Sequence, residues 1–463
     1  MMAAGRPEVP VPYRRPMASP AVRAAVDKIV MTLARLVSKV WFRRVETQNL
    51  DRISTDRPVL VCANHANGFV DPVSVLATSP RPLHFIAKAS LWKLPPVGAA
   101  LSLVGALPVK RRPDGEGSNK GTFDACHEAL RQDRAIAIFP EGAVNDTATL
   151  KPIKTGAARI ALGARASGAL GLRIVCVGLV YEQKARPRGR VLVRAAAPID
   201  LDKVIPTLVP EGADETDANH ELVDALTGLI EARLKEASLD YHDVERMRVL
   251  AEAAAVYERD PEANPVLGVS LAGVEPLVRR LDRAPETARG AVVQAMSEYQ
   301  AELDVLGLRD VDVVPGNTPE RLQQRLATST AKVAALAVPA AVGVAVNAVP
   351  YQAVKQVWRR PVARISKANN TLLAGLVAFP VAWTAWALAG RRAGVKRPFV
   401  VAYLAGPLTG HAAVACWEQL EKFRTSRTQW QKRVNADDLL GELMAKRQQV
   451  VDAIDAAAGE EVA

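Results

Sequence analysis

Between residues 58 and 200, short apolar runs alternate with stretches of helical periodicity. Residues 59–63, 83–87, 104–109, 135–139, 173–181 and 190–197 have the length and β-rich content of strands. Residues 71–78, 121–132 and 155–167 have the spacing of helices. This alternation predicts an α/β domain, a sheet flanked by helices, with its ligand groups in the loops at strand ends. Ahead of it, Val22, Val26, Ile29, Val30, Leu33, Leu36, Val37, Val40 and Trp41 fall on one helical stripe, with Arg23, Lys28 and Lys39 off it. Such an amphipathic helix packs on the following domain, touches a membrane, or does both.

Residues 201–330 read as polar and helical, most clearly at 222–237, 244–257 and 290–303, and carry no catalytic constellation. The pattern then changes. Segments 333–351 and 371–390 contain no charged residue, and in 398–417 the ionisable groups are His411, Tyr403 and Cys416. Each has the roughly 20 residues that cross a bilayer, so membrane insertion is expected. Both connecting loops are basic: Lys355, Arg359, Arg360, Arg364 and Lys367 in one, Arg391, Arg392, Lys396 and Arg397 in the other. If all three segments span, one basic loop lies on the outer face, against the positive-inside tendency. Pro339, Pro350 and Pro380 leave a re-entrant or interfacial arrangement open. The expected organisation is a basic N-terminal segment with the amphipathic helix (1–45), a catalytic domain (46–205), a helical region (206–330), membrane-associated apolar segments (331–418) and a helical tail (419–463).

Charge sharpens this picture. The net charge is +11. Residues 1–45 carry nine Lys/Arg against two acids, and residues 351–397 carry nine and no acid, so the rest of the chain is net acidic. The cations therefore sit beside apolar segments, where anionic lipid head groups lie. With 5% aromatics and no nucleic-acid-binding motif, no nucleic-acid partner is expected. Cys62, Cys126, Cys176 and Cys416 are far apart and unpaired in sequence, which indicates neither a zinc site nor a disulfide framework. The first twenty residues lack an apolar core, so no secretory signal is expected.

Three groups of residues carry chemistry, each at the end of an apolar run. The first is Asn64-His65-Ala66-Asn67-Gly68-Phe69-Val70-Asp71-Pro72. A neutral imidazole can take a hydroxyl proton near neutral pH, and a carboxylate on its other nitrogen fixes the tautomer and stabilises the imidazolium. The second is Gly105-Ala106-Leu107-Pro108-Val109-Lys110-Arg111-Arg112, whose terminal cations suit phosphate. The third is Phe139-Pro140-Glu141-Gly142, followed by Lys151-Pro152-Ile153-Lys154-Thr155-Gly156.

Together these residues resemble the glycerolipid acyltransferase superfamily, whose blocks are Asn-His-x4-Asp, Gly-x5-Arg, Phe-Pro-Glu-Gly and a late apolar strand. All four occur here in that order, the last within residues 174–181. A narrower likeness to the fungal-type glycerol-3-phosphate/dihydroxyacetone-phosphate acyltransferases runs from about residue 58 to 380. Its marks are Asn67 to Pro72, Lys154 to Ala158, Val177 to Tyr181, Ala197-Pro198-Ile199 and Leu306-Gly307-Leu308-Arg309-Asp310.

The resemblance implies a glycerolipid acyltransferase-like sheet flanked by helices, a helical appendage and C-terminal membrane helices. It implies His65 as general base and Asp71 as its orienting partner. Arg111 would bind the acceptor phosphate, Gly105 would allow close backbone packing, and Glu141 with Gly142 would shape the acceptor pocket. Lys110 and Lys154 would be further phosphate or donor contacts. No metal or resident cofactor is implied; acyl-CoA or acyl-carrier protein enters as co-substrate. The expected reaction is acyl transfer to glycerol 3-phosphate or dihydroxyacetone phosphate at a membrane with anionic head groups, the catalytic domain on its cytoplasmic face. Many members follow Phe-Pro-Glu-Gly with Thr-Arg-Ser where this chain has Ala143-Val144-Asn145, which removes a cation and weakens the case for the lysophosphatidate branch. That branch, and a non-catalytic membrane scaffold, are the alternatives.

Overall fold

Five strands of one sheet run parallel: β2 (Val59–Ala63), β3 (Leu83–Lys88), β4 (Leu107–Val109), β5 (Ala135–Ile138) and β6 (Arg173–Tyr181). With β1 (Phe42–Gln48), β7 (Gly189–Ala195) and β8 (Ile199–Asp200) they make an eight-stranded mixed sheet. Its order is β1-β7-β6-β2-β5-β3-β4, with β8 beside β6. β7 runs antiparallel to β6, and β1 parallel to β7. The computed structural model describes residues 19–93, 97–110, 119–145, 149–183, 186–238, 244–259, 268–314, 318–435 and 437–459.

The central strands are continuous apolar runs because helices cover the sheet. All five residues of β2 are buried, the signature of a parallel strand with no wet face. The main core joins β2, β5 and β6 to α4 (Lys120–Arg131), α5 (Gly156–Ala166), α6 (Leu201–Leu208) and α7 (His220–Ala237). Docking of α7 depends on one glycine: a Cβ on Gly178 in β6 would stand 1.9 Å from the Ala237 carbonyl oxygen. Arg194 of β7 donates to the Glu236 and Ala237 carbonyls at 2.8 and 3.0 Å, satisfying acceptors left open at the helix end.

α1 (Pro20–Trp41) packs beside α2 (Val70–Thr78) and buries Met31, Ala34, Ser38 and Trp41. Val22, Ile29, Leu33, Leu36 and Val40 of its apolar stripe remain exposed. Two strands differ from the sequence pattern. β4 begins at Leu107 rather than 104 because α3 (Val97–Leu103) ends there in a turn at Gly105, φ 65°, where Ala106 N–H donates to the Leu101 carbonyl at 2.9 Å. β1, with Arg43, Arg44 and Glu46, lacks an apolar run and so carries no strand signal.

The chain divides into two units, 1–240 and 241–463, and α7 belongs to the first. In the second, α8 (Val244–Tyr257), α9 (Leu271–Arg283), α10 (Glu286–Val305) and α11 (Asp310–Val313) share one core with the last helix, α15 (Asp437–Gly459). The Leu306–Asp310 motif builds this core: Gly307 (φ 60°) turns the chain after α10. Buried Asp310 then pairs with Arg259, Tyr299 and Arg447. Between α11 and α15 stand α12 (Pro319–Arg359), α13 (Arg364–Arg392) and α14 (Pro398–Asn435). Each is long and apolar enough to cross a membrane. They contain the three predicted apolar segments.

Candidate active site

Parallel strands bring their carboxyl ends to one edge of a sheet, where loops can gather side chains from distant sequence. Here that edge collects the turn after β2 with His65, the end of β3 at Lys88, the end of β4 with Lys110, the turn after β5 with Glu141, and Tyr181 closing β6.

His65 Nδ1 lies 2.9 Å from Asp71 Oδ2. Asp71 occupies the first turn of α2 and is fully buried. The same Oδ2 accepts from the Asn67 backbone N–H at 2.6 Å, and Oδ1 accepts from the Tyr181 hydroxyl at 2.6 Å. A buried carboxylate needs such partners, and three donors fix this one. Burial, reinforced by the Asp71 charge, pushes the Tyr181 phenol well above its ordinary range, so it is a neutral donor. With Nδ1 held by Asp71, Nε2 of His65 is the ring nitrogen left for proton transfer. The ring stacks on Phe139 with centroids 4.1 Å apart, and Phe85 stacks on Phe139 in turn.

Glu141 braces the loop that holds the histidine. Its Oε1 accepts from the His65 backbone N–H at 2.6 Å and its Oε2 from the Lys151 N–H at 3.2 Å. Burial pushes this carboxyl above its usual range, opposed by those two N–H groups, which favour the anion. Asn145 N–H donates to the His65 carbonyl at 2.6 Å, and Asn64 exchanges two hydrogen bonds with the Leu179 backbone at 2.7 and 3.2 Å. The first motif is thus tied to both neighbouring strand ends. Gly142 has φ 70°, and a Cβ there would stand 2.7 Å from Lys154 Nζ, so the lysine stem lies against this glycine. Lys154 N–H also donates to the Pro140 carbonyl at 2.9 Å.

Of the residues expected from sequence, His65, Asp71, Glu141, Gly142 and Lys154 form this connected cluster. Lys110 follows β4 on that edge of the sheet, where Asn119 holds its backbone at both N–H and carbonyl, 3.0 and 2.9 Å, whereas Gly105 lies before β4, in the turn at its amino-terminal end. Arg111, with Arg112, lies outside the described residues. Tyr181 is the functional side chain that sequence spacing missed. The signal for it was the late apolar strand, whose parallel pairing beside β2 sets its final residue above the His65 turn. Cys62 is fully buried within β2, and desolvation pushes its thiol far above its ordinary range, away from nucleophilic use. Among the described residues, no group of three or more His, Cys, Asp or Glu side chains could hold a metal ion.

Residues 27–180 match the protein-family model described as Acyltransferase. The chloroplastic 1-acyl-sn-glycerol-3-phosphate acyltransferase BAT2 of Brassica napus is 27% identical over 171 residues, covering 35% of this chain and 47% of that protein. Glycerol-3-phosphate O-acyltransferase 2 of Saccharomyces cerevisiae is 27% identical over 203 residues, covering 42% of this chain and 26% of that one. Among solved structures, the 1-acyl-sn-glycerophosphate (LPA) acyltransferase PlsC of Thermotoga maritima is similar at 18% identity and a TM-score of 0.34, over 47% of this chain and 81% of that chain. The chain spans less than half the length of these two curated relatives. The family match runs from within α1 to Val180 of β6 and contains the His65–Asp71 pair and Glu141, so residues 27–180 form an acyltransferase-family domain.

Proposed function

We propose that this protein is an O-acyltransferase that moves a fatty acyl group from acyl-CoA or acyl-carrier protein to glycerol 3-phosphate or dihydroxyacetone phosphate in phospholipid biosynthesis. The observation that carries the reading is the 2.9 Å bond between His65 and a buried Asp71 that is itself held by two further donors. This arrangement sets the tautomer in which Nε2 is basic and readies a carboxylate for the imidazolium.

Transfer is direct. As Nε2 of His65 takes the acceptor hydroxyl proton, the acceptor oxygen bonds to the thioester carbonyl carbon. The carbon–sulfur bond then breaks, and the thiolate leaves with the proton returned by the imidazolium. Glu141 acts through the His65 backbone as a positioning residue. Arg111, Lys110 and Lys154 are assigned to acceptor phosphate or donor, the guanidinium supplying bidentate contact. The Ala143-Val144-Asn145 tripeptide supports the glycerol-phosphate branch, since it brings no cation and its Asn145 is used as a backbone brace. No resident cofactor enters the mechanism.

The membrane is the proposed partner, with anionic head groups meeting the basic segments and the catalytic unit on the cytoplasmic face. Its support is the three apolar helices and the exposed stripe on α1. An acceptor panel with purified protein and one acyl-CoA tests the assignment. Glycerol 3-phosphate or dihydroxyacetone phosphate should be acylated with the highest kcat/KM. Preference for lysophosphatidate would overturn the acceptor assignment, and inactivity with retained binding to anionic vesicles would support a scaffold instead.

A further inference from the structure

Among the described residues, three helices have the length and composition to cross a bilayer, yet two features of the second unit argue against all three doing so. The first is parity. α12, α13 and α14 are inserted between α11 and α15, and α15 returns to the core built by α8 to α11. Buried Arg447 of α15 bonds to Asp310 at 3.0 Å, and Tyr257 of α8 bonds to Asp455 at 2.6 Å. A chain that leaves this helical body and returns to it makes an even number of crossings. Three spans would strand α15 on the wrong side.

The second feature is contact order. On α12, Gly343 meets Thr409 and Ala413 of α14, and one turn later Asn347 meets Gly406 and Gly410. α14 therefore retreats as α12 advances. At the far end of α14, Gln429 reaches the Val311 carbonyl at 3.0 Å, just before α12 begins. These two long helices are an antiparallel pair. α13 runs antiparallel to α12, with Gly375 near Val354, Trp383 bonded to Asn347 and Trp386 bonded to the Val346 carbonyl. It also runs antiparallel to α14, with Gly390 near Pro398, Thr384 bonded to Tyr403, and Trp383 against Gly406. These α13 contacts fall at or before Pro407, a proline inside α14, whereas the contacts of α14 with α12 fall from Gly406 onward, so α13 meets only the first stretch of α14.

Against α12, the pairing of α13 is oblique, which shortens its reach. From Lys367, stacked on Trp358, to Trp386 at Val346, α13 advances about 28 Å along its own axis while α12 advances about 18 Å. At that slope an apolar stretch of about 20 residues, about 30 Å long, rises only about 19 Å along the α12 direction, short of the roughly 30 Å of a hydrocarbon core. Asn347 marks the crossing: its amide donates to the Gly343 and Gly406 carbonyls and accepts from Trp383, joining all three helices. Small residues and such polar contacts hold helices together in lipid.

We infer that α12 and α14 form the membrane hairpin, that α13 lies aslant against it without crossing, and that the two basic connections therefore share one face of the membrane. Charge agrees with geometry. Arg359 and Arg360 end α12, and Arg391, Arg392, Lys396 and Arg397 precede α14, all exposed. Three spans would divide them between opposite faces, whereas the hairpin gathers them at its one closed end, consistent with the tendency of short basic loops to stay together.

This inference rests on the membrane reading of α12 to α14, and the two are separable by experiment. Arg360→Cys and Arg392→Cys are made singly in the full chain and treated with an impermeant maleimide in sealed membrane vesicles of one orientation, before and after permeabilisation. The four native cysteines are buried, and the parent chain sets the background. Both positions should respond alike, both labelled or both protected before permeabilisation. One labelled and the other protected, in protein that withstands alkaline carbonate, would overturn the topology and leave the membrane reading intact. Release of the protein by carbonate would overturn the membrane reading, and the topology with it.

Discussion

Tyr181→Phe removes one hydroxyl and leaves the ring in place, so it tests the bond from phenol to carboxylate. That bond is 2.6 Å long and ends on a fully buried Asp71, whose other partners are His65 and the Asn67 N–H. A hydrogen bond to a charged group contributes about 1.5–3 kcal/mol. If that stabilisation acts where Asp71 supports the imidazolium, kcat/KM falls about 10- to 150-fold at about 1.4 kcal/mol per decade. Asp71→Asn, which removes the charge and the tautomer control, should lose about 10⁴-fold by the logic of a triad. The phenol is itself held neutral well beyond the assay range, so the substitution removes no titrating group. The assay is thiol release from acyl-CoA with glycerol 3-phosphate, with circular dichroism to confirm folding. An unchanged kcat/KM would refute the coupling of Tyr181, Asp71 and His65. A loss equal to that of Asp71→Asn would mean that the phenol acts on substrate directly.

Burial raises the Glu141 carboxyl above its usual 4.5, so the folded protein holds that proton more tightly than the unfolded chain. The associated stability is present below about pH 4.5 and lost as pH rises through the elevated value; Glu141→Gln should therefore gain thermal stability relative to the parent across that window, and parallel Tm–pH curves would contradict this. Cys62→Ala should retain wild-type kcat, because the thiol is buried and protonated; loss of turnover in a folded variant would reopen a covalent route. Gly178→Ala places a methyl 1.9 Å from the Ala237 carbonyl oxygen and should cost about 1–3 kcal/mol through displacement of α7; an unchanged Tm would show that α7 docks differently.

Much of this was legible because buried parallel strands and short-range motifs announce themselves locally. β2 and β6 stand out as unbroken apolar runs, and His65 and Asp71 are six residues apart on one turn. The partners that complete the site are distant. Tyr181 is 110 residues from Asp71, and Glu141 is 76 residues from the backbone it braces, and only the order of strands in the sheet brings them together. The same limit applies to α7, whose periodicity is plain but whose place in the first core is set by a glycine in β6. The apolar segments were visible by composition, whereas the inclination of α13 is encoded in contacts around Asn347 that no hydropathy window registers.

The central claim is that His65 is the base for direct acyl transfer. The measurement that addresses it is the kcat of His65→Ala beside the parent, with acyl-CoA and glycerol 3-phosphate at saturation and donor binding checked separately. A positioned general base contributes about 10²–10⁴-fold, so the variant should lose at least about 100-fold in kcat while still folding and binding the donor. Turnover close to that of the parent would contradict the account.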